Sequence, residues 1–183
     1  MIIAIAVTMS VAANAQDEQV QAKHQQGDMS FGGHIIHYME DGISLTGIGA
    51  KFRYTVIEQL RVEAGLSYFF PKEIARIMGI SANVSMLDFS VNAHYLFPIN
   101  ERLTLYPLVG LGLLNLRATA TADVLDTRVS TSESHVIINI GGGAEFQVAD
   151  NISFHLEPRL LRIVDNNNNR GGFTISAGVM FSF

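Results

Sequence analysis

Leu60-Arg61-Val62-Glu63-Ala64-Gly65-Leu66-Ser67-Tyr68 is the stretch whose reading decides the fold. Leu60, Val62, Ala64, Leu66 and Tyr68 share one parity, and Arg61, Glu63, Gly65 and Ser67 share the other. A β-strand sends successive side chains to opposite faces, so strict alternation predicts a strand with one apolar and one polar face.

The same period recurs along the chain. In Leu87 to Phe97, the residues Leu87, Phe89, Val91, Ala93, Tyr95 and Phe97 oppose Asp88, Ser90, Asn92, His94 and Leu96. In His135 to Val148, Val136, Ile138, Ile140, Ala144, Phe146 and Val148 oppose His135, Asn139, Gly141, Gly143, Glu145 and Gln147. Ile152 to Leu160 and Phe173 to Phe183 alternate in the same way, and so does Ser44 to Val56. Leu103 to Leu116 is apolar on both faces, and Met29 to Met39 splits Phe31, Ile35, Ile36 and Tyr38 between its faces. These eight segments run to roughly 9–14 residues. Globular strands average about 5–6, and a tilted membrane-spanning strand needs about 9–11.

Short connections alternate with long ones. Ile57-Glu58-Gln59, Pro98 to Arg102 and Ala149-Asp150-Asn151 read as tight turns. Phe70 to Ser85, Arg117 to Ser134 and Asp165 to Gly172 read as exposed loops, with a shorter loop at Met39 to Ile43. An even strand count with short turns at one rim predicts an all-β, eight-stranded antiparallel up-and-down transmembrane β-barrel over residues 29–183. Aromatics at strand ends predict two interfacial girdles: Tyr54, Phe97, Phe146, Phe154 and Phe183 by the turns, and Tyr38, Tyr68, Phe69 and Phe173 by the loops.

Composition agrees. Only 16% of the 183 residues are charged, against about 25% in an ordinary globular domain, and mean hydropathy is +0.25. No apolar run reaches the roughly 20 residues of a spanning helix. A net charge of -5 with 12 Lys and Arg argues against a nucleic-acid partner. Without Cys there is no disulfide framework and no thiolate metal site. Apolar Ile2 to Val11 followed by Ala13-Asn14-Ala15 predicts a signal peptide over residues 1–15. No basic residue follows Met1, so the start itself reads as truncated or misplaced. Polar, Gln-rich residues 16–28 read as a flexible periplasmic leader.

If the apolar face meets lipid, the barrel interior receives Lys51, Arg53, Arg61 and Arg159 together with Glu63, Asp88, Glu145 and Glu157. Buried charges persist only when paired, so a lumen filled by salt bridges is expected, with Arg53 or Lys51 near Glu63. His34 and His37 fall on opposite faces and cannot chelate together. Ser153, His155 and Glu157 share one face, but it is the lumen face near a turn, out of reach of lipid. No catalytic, cofactor-binding or metal-ligating set emerges, and no cofactor is expected. The alternating glycines Gly47, Gly49, Gly110, Gly112, Gly141 and Gly143 predict tight curvature or lumen space. Periodicity alone also admits a soluble lipocalin-like barrel with its apolar face inward.

The terminus Ile175-x-Ala177-x-Val179-x-Phe181-x-Phe183 resembles the closing strand of the small outer-membrane barrel family, the group of outer membrane protein X and the N-terminal barrel of outer membrane protein A. Pro107-Leu108-Val109-Gly110-Leu111-Gly112 and Gly141-Gly142-Gly143-Ala144-Glu145-Phe146 are similar to strands of that family. The resemblance covers Met29 to Phe183 and implies residence in outer-membrane lipid of a Gram-negative bacterium. It also implies that the barrel assembly machinery recognises the strand ending at Phe183. A monomeric, non-enzymatic barrel is expected, with a structural or surface-interaction role through Phe70 to Ser85 and Arg117 to Ser134. The alternative is passage of small apolar solutes, suggested by the inner positions Leu108, Leu114 and Leu161.

Overall fold

A computed structural model describes residues 25–40, 42–77, 80–122, 127–164 and 170–183. The expected signal peptide and residues 16–24 of the leader lie outside the described residues. Nine strands follow in order: β1 Met29–Glu40, β2 Ile43–Ile57, β3 Leu60–Ile77, β4 Ile80–Tyr95, β5 Phe97–Pro98, β6 Leu103–Ala122, β7 Thr127–Ala149, β8 Ile152–Ile163 and β9 Gly171–Ser182. β4 and β5 form one stave interrupted at Leu96, since both pair with β6. Every pairing is antiparallel between chain neighbours, and the β1–β9 ladder joins the two ends of the chain. The result is the expected closed, eight-stranded antiparallel barrel. Closure leaves no edge inside the ring, which is what hydrocarbon requires of a backbone.

The stagger is read by walking the cross-strand partners once around. Glu145 leads to His155, Gly178, His34, Gly49, Ser67, Asp88 and Leu114, and the walk returns to β7 at His135, ten residues from its start. A shear of ten over eight staves sets a strand tilt of about 40°.

Parity then assigns the faces. Val62, Leu66 and Val91 are exposed on the outside and Ile138 and Val179 are half-exposed there, while Glu63 and Glu145 are buried inside. Ile35 and Leu111 keep 63% and 61% of their surface exposed, values that only an apolar solvent tolerates around an entire barrel. The soluble-barrel alternative needs these side chains inside and is overturned by their position.

Two expectations need correction. The segments Phe70 to Ser85 and Arg117 to Ser134 are mostly strand, because β3 and β4 continue to Ile77 and from Ile80, and β6 and β7 to Ala122 and from Thr127. In the second, Ala118, Thr119 and Ala120 pair with Thr131, Ser130 and Val129. Small and β-branched residues suit a strand, but the buried Thr119 is polar and the exposed Ala118 and Ala120 are small, so no strongly apolar face marks it. In the first, register shifts between Phe69 and Lys72 and between Glu73 and Ala75 interrupt the pattern. The third expected loop begins its strand at Gly171, and residues 165–169 lie outside the described residues. Tyr38 and Phe69 also leave the loop-side girdle, since both point inward and are buried. They share parity with His34 and Ser67, and parity, not proximity to a strand end, decides the face.

Placing a charge on the lipid face tests this assignment. Leu66→Arg is expected to lower unfolding free energy in bilayers by about 2–4 kcal/mol, measured by urea titration of the refolded protein. No loss would mean Leu66 does not face hydrocarbon.

Candidate functional site

All eight charged residues expected in the lumen are buried there. Alternation on β2, β3, β4, β7 and β8 turns them inward, and the stagger brings distant strands to one level. Arg53, 0% exposed, is the hub. Its Nε donates to Glu63 Oε2 at 2.7 Å, one terminal nitrogen donates to Glu145 Oε2 at 2.9 Å, and the other reaches Glu157 Oε2 at 3.5 Å. Arg61 donates to the same Glu145 oxygen at 2.8 Å. Lys51 Nζ donates to Glu157 Oε1 at 2.6 Å and lies 3.6 Å from Glu63 Oε1. Each carboxylate of this knot serves two or more cations, which is the geometry that offsets desolvation.

Tyr106 is the member that sequence reasoning missed. Its hydroxyl donates to Glu157 Oε2 at 3.0 Å and accepts from Arg53 at 3.2 Å. Its ring stacks on His94 at 4.6 Å, and the Arg61 guanidinium lies 5.1 Å from the ring centroid. Gly143 makes this placement possible, because a Cβ there would overlap the Tyr106 ring. An inward-parity Tyr beside a glycine-rich neighbouring strand was the available signal, hidden by the two-sided apolarity of Leu103 to Leu116.

Towards the loops the interior turns apolar. Ile36 and Tyr38 of β1, Leu45 of β2, Phe69 of β3, Met86 of β4, Leu114 of β6, Ile137 of β7 and Leu161 of β8 form one buried cluster. The remaining stave contributes Gly172, whose missing side chain leaves room for the Tyr38 ring. The cluster is therefore a complete layer across the barrel. Of the inner leucines singled out in the sequence, Leu114 and Leu161 lie in it. Leu108 belongs to a separate cluster with Leu96 and Tyr106.

Other candidates separate cleanly. His34 is buried and hydrogen-bonds with Ser67 Oγ at 3.0 Å, whereas His37 pairs with Thr46 Oγ1 at 2.9 Å on the outer face. Ser153 donates to Glu145 Oε1 at 3.2 Å, and neither ring nitrogen of His155 has a hydrogen-bond partner among the described residues. Ser153, His155 and Glu157 therefore share the lumen without forming a nucleophile–base pair. Glu63, His94 and Glu157 bring ligand-type atoms within 4.8 Å of one another. Lys51 and Arg53 already hold both carboxylates, so the positive charge that site calls for is supplied by side chains. At the turn-side mouth a cleft of about 280 Å³ is lined by Asp28, Ser30, Thr55, Arg61, Glu145 and Asp150, among others.

Removing the hub is the sharpest test of the knot. Arg53→Met leaves three glutamates short of a cation and is expected to cost about 3–5 kcal/mol in urea unfolding. Arg61→Met, which unpairs one carboxylate still held by Arg53, is expected to cost less. Equal, small losses would remove Arg53 from the centre of the network.

No functionally curated protein matches the chain in sequence. Solved structures match in fold. Ail, the attachment invasion locus protein of Yersinia pestis, is 19% identical, with 87% of this chain and 100% of that chain covered and a TM-score of 0.56. The N-terminal β-barrel domain of Pseudomonas aeruginosa OprF is 16% identical over 87% of this chain and 100% of that chain, with a TM-score of 0.57. A major outer membrane protein of Thermus thermophilus is 11% identical over 86% of this chain and 99% of that chain, with a TM-score of 0.63. The profile of the outer membrane protein beta-barrel domain matches residues 2–183. With its lipid-facing apolar exterior and enclosed charges, this chain belongs to the outer membrane protein beta-barrel domain family and is an outer-membrane barrel of the Gram-negative type.

Proposed function

We propose that the chain is a non-enzymatic, monomeric barrel with a filled lumen that holds a contact surface outside the cell. That surface is the sheet made by the loop-side ends of β3, β4, β6 and β7. One observation carries the reading. β6 and β7 stay paired up to Ala122↔Thr127, whereas β7 and β8 pair only from Ile137↔Ile163. The β8-side edge of β7 over residues 127–135 therefore has no strand beside it among the described residues. An open row of backbone donors and acceptors is a template for an extended partner chain.

The opposite edge is guarded. β3 carries Pro71 there, and Lys72 Nζ donates to Ser44 O and Ser44 Oγ, both at 2.9 Å. The β7 edge has no Pro, and its Val129, Ser130, Thr131 and Ser132 are exposed. An Ail structure holds the heparin analogue sucrose octasulfate, which lends support to outside contact as a use of this architecture. The apolar layer and the ion-pair knot in series weigh against solute passage. In the same reading, residues 1–15 direct export and are removed, residues 16–28 stay in the periplasm, and the strand ending at Phe183 addresses the assembly machinery.

Replacing residues 118–133 by a short turn is expected to leave heat-modifiable mobility intact and to reduce whole-cell binding to immobilised heparin about tenfold. Ser132→Pro, which removes a backbone donor from the free edge while leaving the β6–β7 bonds in place, is expected to act in the same direction. Unchanged binding and envelope integrity in both would sink the proposal. In planar bilayers the native protein is expected to give no discrete conductance steps, and steady channel openings would favour solute passage instead.

A further inference from the structure

On the outer wall of β1 and β2 the lipid-facing surface carries polar groups where alternation calls for apolar ones. His37 and Thr46 are cross-strand partners on that face and share a hydrogen bond of 2.9 Å. Ile35 and Ile48 come next along the same strands towards the turns, and Met39 comes next towards the loops. Ile175 is the partner of His37 on β9. All four are exposed apolar side chains, so the polar pair is set into an apolar wall. The other ring nitrogen of His37, Nε2, has no partner among the described residues, and hydrocarbon supplies none.

A cation stands above the pair. Ser44 lies two residues nearer the rim than Thr46 on the same face of β2, about 7 Å along the strand. Its carbonyl oxygen and its Oγ receive Lys72 Nζ, each at 2.9 Å. Both acceptors are neutral, and Lys72 joins no carboxylate among the described residues. Beside the pair the β2–β3 ladder ends at Gly47↔Phe69, and the exposed Tyr68 and Phe70 rings meet edge to face at 6.0 Å. Exposed aromatic rings at a barrel rim sit at the height of lipid headgroups. From the rim towards the midplane the strip therefore presents an ammonium, a hydrogen-bonding pair and then aliphatic side chains, with an aromatic ridge along one flank.

We infer that this strip is a binding site for one phosphate-headed lipid of the outer leaflet. The order of the groups selects the ligand. The phosphate meets Lys72, whose charge no side chain neutralises. With the Thr46 hydroxyl donating to Nδ1, His37 keeps its proton on Nε2 and donates it to a carbonyl in the linkage between head and acyl chains. The chains then run over Ile35 and Ile48 against Tyr68. A soluble anion would serve Lys72 and leave His37 unmatched, and a zwitterionic head would bring a second ammonium towards Lys72. The strip lies on different staves from the free β7 edge, so it stands or falls independently of the contact surface proposed above.

The test is native mass spectrometry of the barrel released from phosphatidylcholine nanodiscs doped with phosphatidic acid or with monophosphoryl lipid A. The native protein is expected to retain one phosphate-headed lipid from either mixture. Lys72→Ala and His37→Phe, each removing one polar contact to the lipid, are expected to lower the retained fraction about tenfold. Both should keep heat-modifiable mobility, which reports an intact barrel, and Leu111→Ala on the opposite wall should retain the lipid as the native protein does. Equal retention by the native protein and the two variants overturns the inference. So does equal retention of phosphatidylcholine, which marks an unselective lipid annulus, or release of the lipid by inorganic phosphate, which marks a site for soluble anions.

Discussion

Hydrocarbon offers no partner to a polar group, and the rest of this structure follows from that constraint. It forces the backbone to close on itself, so β1 pairs with β9 and the ring has no edge where lipid lies. It forces every charge between the rims to one side of the wall, so alternation is strict on β2, β3 and β8. The enclosed charges must then satisfy each other. Arg53 can do this for three glutamates at once only because the shear lifts Glu145 and Glu157 from strands across the barrel to the level of Glu63.

The eight segments and their apolar faces were legible because burial against lipid imposes a period of two that nothing else in a chain imitates at such length. Leu60 to Tyr68 shows it without a single exception. Where that solvent contrast vanishes, so did the signal. Ala118-Thr119-Ala120-Thr121 and Val129-Ser130-Thr131-Ser132 are strands whose two faces differ little in polarity, and they read as loop for the same physical reason that Val62 and Leu66 read as strand. Periodicity reports a difference between two faces, not the presence of a strand.

The charged interior was legible by composition and parity but not by partner. Arg53 beside Glu63 is a direct cross-strand pair, and such pairs follow once a hairpin is recognised. Arg53 with Glu145, 92 residues away, depends on the stagger of the whole ring, which no local pattern encodes. The same holds for the inner leucines. Parity places Leu108, Leu114 and Leu161 inside, while only the shear reveals that two of them join an apolar layer and the third packs with Leu96 and Tyr106 nearer the turns. Tyr38 and Phe69 illustrate the converse error, in which position along the strand was weighed above parity.

The distribution of satisfied and unsatisfied groups separates the parts of the molecule that hold the fold from the part available for contact. Within the ring every strand has a ladder on each side, the ion-pair knot is internally neutralised to a first approximation, and the apolar layer shuts the loop-side end. Such an interior has little capacity to change partner without losing several charge-assisted bonds together. On the loop side of Ile137 the balance reverses. Among the described residues β7 continues with one ladder instead of two, and its Ser130, Thr131, Ser132 and Ser134 are small, hydroxylated and exposed. In the proposed reading, a partner strand added there gains backbone bonds without breaking any the barrel already makes.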